Sequence, residues 1–307
     1  MRIQSATFLS ISGLQDMTVR FGGGAPTEAG DVTLVTGPPA SGKTRLLEAL
    51  VAAKEVLAPY GQPVAGWKWI RPGDRNAKIE LTFSLDDTER NLGGAEAVTH
   101  AEALFAPKSC GREADEGLLA VLERYEHEPA CGKVDYLPAA RTLPPLGVGQ
   151  GTSAFEQRIW RLSREARKFA FVPRFLAELA HRPDVGARFG EALGAMCPTL
   201  AYAGPTGSDS LSCFKSRGEG PLTVGELSTS EQDAVVTAAT LLMVGHQRSI
   251  VFVDRPEAAV HEAGMAAWLG AVRSLIGDSQ LIVASNSPAL RAAVGPSNVV
   301  ELGAVRA

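Results

Sequence analysis

Alternating apolar and polar residues near the start of the chain predict strands. Residues 2–12 are predicted to form a strand, and Met17, Val19 and Phe21 then place apolar side chains on one face of a second strand. A β-rich run at residues 31–36 follows a glycine-rich loop. We therefore expect two antiparallel strands ahead of the strand at residues 31–36.

The same alternation recurs at residues 78–85, and a short aromatic stretch at residues 64–70 is predicted to pair with this strand. For Trp67 and Trp69, packing of one sheet face on a neighbour is favoured, and stacking on a nucleic-acid base is the alternative. The weakly patterned region that follows contains a short predicted helix over residues 114–125.

Two continuous apolar runs in the C-terminal third are typical of buried parallel strands. They cover residues 249–254 and 280–285, and a predicted helix over residues 261–276 lies between them. Another helix, over residues 233–244, precedes the first run, and residues 298–302 are predicted to complete the sheet. This order of strands and helices predicts an α/β fold.

The middle of the chain is predicted to be mainly helical. Residues 142–152 are rich in Pro and Gly and form a loop, whereas residues 153–180 favour a helix that Pro173 kinks or breaks. A second helix is predicted over residues 185–196, and a short strand over residues 211–215. We therefore expect an N-terminal lobe (1–141), a helical insertion (142–210) and a C-terminal lobe (211–307).

A dense run of basic residues lies in the first predicted helix of this insertion. It consists of Arg158, Arg161, Arg164, Arg167 and Lys168. Helical spacing places all of them except Arg167 on one face, and a solvated amphipathic face is the favoured interpretation. Contact with a nucleic-acid backbone is the alternative.

Composition narrows the class of protein. The 307 residues, of which 45% are hydrophobic and 21% charged, fit one large globular domain or a domain with an insertion. The net charge of −4 gives no bulk attraction to nucleic acid, and no apolar run reaches the roughly 20 residues that span a membrane. No signal-peptide core follows residues 1–5, so a cytoplasmic location is expected. The scattered cysteines and histidines favour free thiols over a zinc site.

The chemistry of the chain centres on one loop between a strand and a helix. Residues 37–44 fit the pattern G-x-x-x-x-G-K-[ST], with the strand at residues 31–36 before them and a predicted helix over residues 44–53 after them. The two glycines let successive backbone N–H groups turn inward around a phosphate, and the helix N-terminus adds further donors. The predicted nucleotide-binding residues are Gly37, Pro38, Ala40, Ser41, Gly42, Lys43 and Thr44.

Two residues are predicted to hold a metal ion beside the nucleotide. Lys43 is expected to reach the β- and γ-phosphates, while the Thr44 hydroxyl ligates Mg²⁺. Asp254 ends the buried strand at residues 249–254, where such proteins hold Mg²⁺ or its water; a cap or turn residue is its alternative role. The expected cofactors are therefore ATP and Mg²⁺.

Three segments besides the phosphate loop resemble those of ATP-binding-cassette ATPases of the RecF, SMC and OLD-nuclease type. Residues 226–232 (ELSTSEQ) resemble the signature E-L-S-S-G-E-Q, residues 254–261 (DRPEAAVH) resemble D-E-P-E-x-x-L-H, and residues 285–288 (SNSP) resemble the switch T-H-S-P. Residues 136–141 (YLPAAR), which end in Arg141, are similar to a Y-I-P-x-x-R segment. The resemblance implies a P-loop NTPase with a mixed sheet, N-terminal antiparallel strands and a helical insertion.

The resemblance also implies a mechanism. Such ATPases form head-to-tail dimers around two ATP molecules, so that the signature of one subunit meets the γ-phosphate held by the other. Ser228, Ser230 and Glu231 are the expected contacts, since they begin a helix. Capping of that helix by Ser228 or Ser230 is the structural alternative, and both roles are compatible. A homodimer, or a heterodimer with another ATPase subunit, is expected.

Three departures from the family pattern argue for slow hydrolysis. The catalytic glutamate falls at Arg255, whose guanidinium cannot act as a base. The switch histidine falls at Asn286, which can hydrogen-bond the γ-phosphate but cannot carry charge, and the signature glycine falls at Ser230. Glu257 is the candidate substitute base, although it lies beyond Pro256 and is expected to point elsewhere. The candidate catalytic residues are therefore Glu257 and Asn286.

Three functions follow from these observations. The favoured one is a switch that dimerises on Mg-ATP and regulates a separate partner, such as a nuclease or another DNA-acting protein. The nucleotide-binding subunit of a membrane transporter is the alternative, against which the signature is not L-S-G-G-Q. The third is a plain ATPase or nucleotide kinase, which requires a substrate pocket within residues 91–210.

Overall fold

The computed structural model describes residues 1–22, 31–125, 132–144, 149, 151–204, 214–216 and 220–303. The strands are β1 (Arg2–Leu9), β2 (Met17–Arg20), β3 (Asp31–Thr36), β4 (Ala77–Ser84), β5 (Val98–Phe105), β6 (Cys110–Ala114), β7 (Val134–Leu137), β8 (Leu200–Tyr202), β9 (Phe214–Ser216), β10 (Pro221–Leu222), β11 (Ile250–Asp254), β12 (Gln280–Ala284) and β13 (Val299–Glu301). The α-helices are α1 (Lys43–Leu57), α2 (Asp87–Gly93), α3 (Glu116–Glu123), α4 (Ala154–Arg158), α5 (Val172–Glu178), α6 (Pro183–Met196), α7 (Thr229–Val244), α8 (Met265–Ile276) and α9 (Pro288–Val294). Of the predicted strand at residues 211–215, residues 211–213 lie outside the described residues.

An antiparallel sheet of order β2-β1-β4-β5-β6 forms one layer of the fold. Alternate residues of β4, among them Ile79, Leu81 and Phe83, are buried and share a core with Leu46 and Leu50 of α1. β1 and β2 pair antiparallel, as the alternation of their side chains predicts. The sheet therefore packs against the helix that follows the phosphate loop.

The chain between α1 and β4 differs from the prediction. Residues 64–70 do not pair with β4, because the partners of β4 are β1 and β5. Gly66–Lys68 instead forms a 3₁₀ turn, which holds Trp69 against Phe105 with 6.0 Å between ring centroids and leaves Trp67 62% exposed. The alternating aromatic residues here belong to a turn and not to a strand.

A parallel sheet of order β13-β3-β12-β11-β7 forms the centre of the fold. β3, β11 and β12 are almost wholly buried, as their continuous apolar sequences predict. The register aligns Val35 with Ala284 and Ala284 with Asp254. The carboxyl ends of these three strands therefore meet at one edge of the sheet, where the candidate site lies.

The insertion contributes α4, α5, α6 and β8, of which β8 pairs with β9. Phe175 of α5 and Phe189 of α6 share one apolar core with Val236 of α7 and Trp268 of α8. The helices α5 and α6 are thus packed against α7 and α8. None of the helices in the described ranges is both long and apolar enough to cross a bilayer.

The basic run does not form a solvated helical face. α4 ends at Arg158, and Arg161 and Lys168 are fully buried. Both lie beside the carboxylate of Asp135 in β7. Lys168 Nζ is 3.5 Å and Arg161 Nη1 is 3.9 Å from this carboxylate, and His246 Nε2 is 3.6 Å from it. The predicted long helix is interrupted because the chain turns inward to bring these side chains to one buried carboxylate.

Candidate nucleotide-binding site

Residues 37–44 connect β3 to α1, as predicted. Gly37 has φ 151° and Gly42 has φ 91°, angles that side chains disfavour. A Cβ at Gly37 would lie 2.5 Å from the carbonyl oxygen of Leu302, and one at Gly42 would lie 2.6 Å from Leu14. Both positions therefore require glycine, for backbone conformation and for space.

The polar groups of this loop suit an anion. α1 begins at Lys43 without a side-chain cap, so no side chain satisfies its first backbone N–H groups. Ala40 adopts φ 61°, which turns the backbone within the loop, and the buried Ser41 hydroxyl has no partner among the described residues. Lys43 Nζ folds back and donates to the carbonyl oxygens of Gly37 at 2.8 Å and Pro38 at 3.0 Å. The Ser41 hydroxyl and the uncapped start of α1 are thus free to bind a ligand, and together with the Lys43 ammonium they fit a triphosphate.

Thr44 and Asp254 meet beneath the loop. The Thr44 hydroxyl donates to the Asp254 carboxylate and lies 3.0 Å from each of its oxygens. Burial raises the pKa of Asp254, whereas the Thr44 hydrogen bond and the charges of Arg255 and Arg141 oppose that rise. A hydroxyl and a carboxylate are ligands that Mg²⁺ prefers. The structure thus brings together the two residues predicted to bind metal.

The chain turns sharply after Asp254. Arg255 has φ 48° and ψ 61°, a left-handed conformation that costs free energy in a residue with a side chain. Its N–H donates to the carbonyl oxygen of Ala284 at 2.8 Å. The Arg255 side chain is exposed and makes no hydrogen bond or ion pair with any residue that the structure describes. A cation therefore occupies the position at which the motif resemblance leads us to expect a glutamate.

Glu257 lies against residues 285–288, the segment that resembles the switch, and its catalytic role remains a prediction. Its Oε2 accepts a hydrogen bond from Ser285 Oγ at 2.7 Å, and its Oε1 accepts one from the N–H of Asn286 at 3.3 Å. Burial lowers the pKa of Lys43, the charge of Glu257 raises it and the charge of Arg255 lowers it. Both charges therefore act on the lysine of the phosphate loop.

The signature segment caps α7. Ser228 Oγ accepts from the N–H of Glu231, and the Glu231 carboxylate accepts from the N–H of Ser228 at 2.8 Å. Ser228 and Ser230 are exposed, and no hydrogen bond among the described residues joins them to residues 37–44. The capping role is confirmed, and contact with a nucleotide in a second subunit remains a prediction.

Buried hydrogen bonds of Arg141 join Asp254 to α7, and the sequence does not predict them. Arg141 Nε donates to Asp233 of α7 at 2.6 Å, while Arg141 Nη1 donates to the carbonyl oxygens of Pro138 at 2.8 Å and Asp254 at 2.9 Å. Arg141 and Asp233 are each only 2% exposed. The guanidinium therefore joins the end of β11 to the helix that Ser228 caps. Sequence reasoning noted Arg141 but gave it no partner, because Asp233 is 92 residues away.

Comparison with known proteins identifies the fold. The structure superposes on an Smc head bound to the C-winged helix domain of ScpA, with TM-score 0.63, 13% identity and coverage of 98% of this chain and 94% of that one. It also superposes on the SMC head domain from Thermotoga maritima, with TM-score 0.52, 11% identity and coverage of 98% and 94%. An Smc head with an extended coiled coil, bound to the C-terminal domain of ScpA derived from Pyrococcus furiosus, gives TM-score 0.59, 12% identity and coverage of 97% and 92%.

Sequence comparison reaches less far. No protein-family model matches the chain. A stretch of 112 residues is 29% identical to the zinc import ATP-binding protein ZnuC of Jannaschia sp. (strain CCS1), and it covers 33% of this chain and 43% of that protein. The match thus spans less than half of this relative. The fold is nevertheless that of a P-loop NTPase of the ATP-binding-cassette type, with antiparallel and parallel sheets, as the sequence predicts.

Proposed function

We propose that this protein is an ATP-dependent switch, which binds Mg-ATP at residues 37–44 and dimerises head to tail. The observation that carries the proposal is the contact of Thr44 with Asp254 beneath a loop whose Ser41 hydroxyl has no partner among the described residues and whose helix begins without a side-chain cap. In this proposal Lys43 leaves its carbonyl partners and binds the phosphates, since a phosphate is a stronger acceptor. When bound, Mg²⁺ neutralises phosphate charge, and Thr44 and Asp254 hold it.

The second subunit completes the proposed site. Ser228, Ser230 and Glu231 stand at the exposed N-terminus of α7, where backbone N–H groups and hydroxyls can meet the terminal phosphate held by another copy. Arg141 positions this helix relative to Asp254 through its buried hydrogen bonds. Loss of the terminal phosphate removes the contacts that hold the dimer closed.

We further propose that hydrolysis is slow. Arg255 cannot accept a proton from water, and Asn286 cannot carry charge. Glu257 is the nearby carboxylate, but both of its oxygens already accept hydrogen bonds, from Ser285 and from Asn286. In this proposal Glu257 is therefore held away from the role of general base, and rapid turnover requires groups from a partner subunit.

In this proposal, the ATP-dependent dimerisation regulates a separate partner protein. Two of the head domains that share the fold are described in complexes with parts of ScpA, which supports regulation of a separate protein. A DNA-acting effector such as a nuclease is the partner we favour. The nucleotide-binding subunit of a transporter is the second candidate, and the stretch similar to ZnuC favours it.

Light scattering tests the switch. The mass of the wild-type chain is expected to double with Mg-ATP and to remain that of a monomer with Mg-ADP. Ser230→Arg is expected to prevent the increase while leaving ATP binding intact, because a long side chain obstructs the facing subunit. A monomer at saturating ATP would contradict head-to-tail dimerisation. Copurification with a membrane protein would instead favour the transporter subunit.

A further inference from the structure

Arg255 presents an unpaired guanidinium at the carboxyl edge of the parallel sheet. It directly follows Asp254, whose carboxylate contacts Thr44 of the phosphate loop. Its exposed side chain has no hydrogen bond or ion pair within the described part of the chain. All five N–H donors of the group are therefore available to a ligand.

The backbone fixes the point from which this side chain extends. The N–H of Arg255 donates to Ala284 at 2.8 Å, and its carbonyl oxygen accepts from the N–H of Ala258 at 3.0 Å. These bonds hold the left-handed φ of 48°. Such a conformation persists in a non-glycine residue only where its surroundings determine it, and it recurs at ligand-binding sites.

The charges near Arg255 leave room for an anion. The positive charge of Arg255 lowers the pKa of Lys43 in the phosphate loop. Glu257 forms no ion pair with Arg255 among the described residues, and its carboxylate instead accepts hydrogen bonds from Ser285 and Asn286. The positive charges of Lys43 and Arg255 therefore favour binding of an anionic group between the phosphate loop and the end of β11.

We propose that Arg255 binds the terminal phosphate of the nucleotide and makes the site selective for triphosphates. A guanidinium can donate two parallel hydrogen bonds to one phosphate, whereas the carboxylate found here in the related ATPases repels it. ADP lacks the group that Arg255 contacts. The substitution thus serves recognition of ATP at a position that otherwise serves hydrolysis. This inference rests on the proposed function and deepens it.

Calorimetric titration of the full chain with Mg-ATP and Mg-ADP tests the inference. Arg255→Ala is expected to weaken ATP binding by about 10- to 100-fold, the effect of losing hydrogen bonds to a charged group, and to change ADP binding by less than about twofold. Arg255→Gly should behave alike, and it removes the backbone strain, so it remains informative if the alanine variant unfolds. Arg188→Ala, which removes an exposed arginine of α6, is the matched control and should alter neither affinity.

The outcomes separate the two proposals. Equal losses for ATP and ADP, or wild-type ATP affinity in both Arg255 variants, would overturn the role of Arg255 and leave the proposed function standing. If the wild-type chain binds neither nucleotide, the proposed function fails, and the inference fails with it. Retention of part of the preference for ATP in Arg255→Lys would support a role for the positive charge.

Discussion

Different interactions stabilise the two sides of the candidate site. On the loop side, β3 and α1 are backed by apolar side chains such as Leu46 and Leu50. On the metal side, β11 lies between β12 and β7, and its surroundings contain buried ions, including the pair of Arg141 with Asp233 and the cations around Asp135. Backbone conformation shapes the first side, whereas buried charge organises the second.

This difference teaches how binding and hydrolysis can separate. Most of the groups proposed to hold phosphate are backbone amides and side chains of one loop, so a single continuous segment preserves them, and Arg255 adds a contact to the terminal phosphate only. The groups that we expect to activate water come from the ends of separate strands, where Arg255 and Asn286 stand at the positions expected for a glutamate and a histidine. A chain can therefore keep the first property while it loses the second.

The largest expected effect concerns the metal side. Arg141→Met leaves Asp233 buried without its partner, so the free energy of unfolding should fall by about 3 to 5 kcal/mol. Urea denaturation measures this loss. Arg174→Met, which removes an exposed arginine from α5, is the matched control and should change stability by less than about 0.5 kcal/mol. A loss below about 1 kcal/mol for Arg141→Met would show that the buried pair does not organise this side.

Acid should lower the free energy of unfolding through His246, which lies beside Asp135. Burial lowers the pKa of His246 to about 4, and this outweighs the nearby Asp135 carboxylate; the cations Lys133, Arg161 and Lys168 lower it further. The unfolded chain binds a proton at this residue below pH of about 6.5, whereas the folded chain does not until about pH 4. Stability contributed by neutral His246 is therefore present above that window and lost as the pH falls through it.

The size of this effect is measurable by comparison with a variant. Unfolding of the wild-type chain should become easier by up to about 3 kcal/mol between pH 6.5 and 4, beyond the change shared with His246→Leu. Denaturation curves of both proteins across that range give the difference directly. Parallel pH profiles would contradict a neutral, buried His246.

Hydrolysis should respond to a change at Arg255. Arg255→Glu restores a carboxylate at the position of the catalytic base, so single-turnover hydrolysis at saturating Mg-ATP should rise by about 10- to 100-fold. Glu257→Gln should leave the slow wild-type rate within about twofold. Brisk wild-type turnover that Glu257→Gln abolishes and Arg255→Ala preserves would show that Glu257 is the base and that the site is active.

Much of the fold could be predicted because its signals are local. The buried strands β11 and β12 are continuous apolar runs, and the phosphate loop is one contiguous motif. β5 and β6 were missed, since the buried face of β5 carries Ala101 and Ala103, whose small side chains give a weak apolar signal. Trp67 and Trp69 give a strong apolar signal, so residues 64–70 were predicted to be a strand although they form a turn.

The rest of the site could not be predicted because its contacts join distant residues. Arg161 and Lys168 looked like one face of a solvated helix, but both are buried beside Asp135. The spacing of residues along the chain does not show that the Asp135 carboxylate is buried in the core. The same limit hid the bond between Arg141 and Asp233, although both residues were visible in the sequence.

The central claim is that residues 37–44 hold a triphosphate, and titration of the folded chain with Mg-ATP tests it most directly. We predict saturable binding of one ATP per chain, weakened by about 100-fold in Lys43→Ala, which loses its charged hydrogen bonds to phosphate. Lys68→Ala, which removes an exposed lysine outside the loop, should bind as the wild type does. Absence of ATP binding by the wild-type chain, or equal affinity in Lys43→Ala, would contradict the claim.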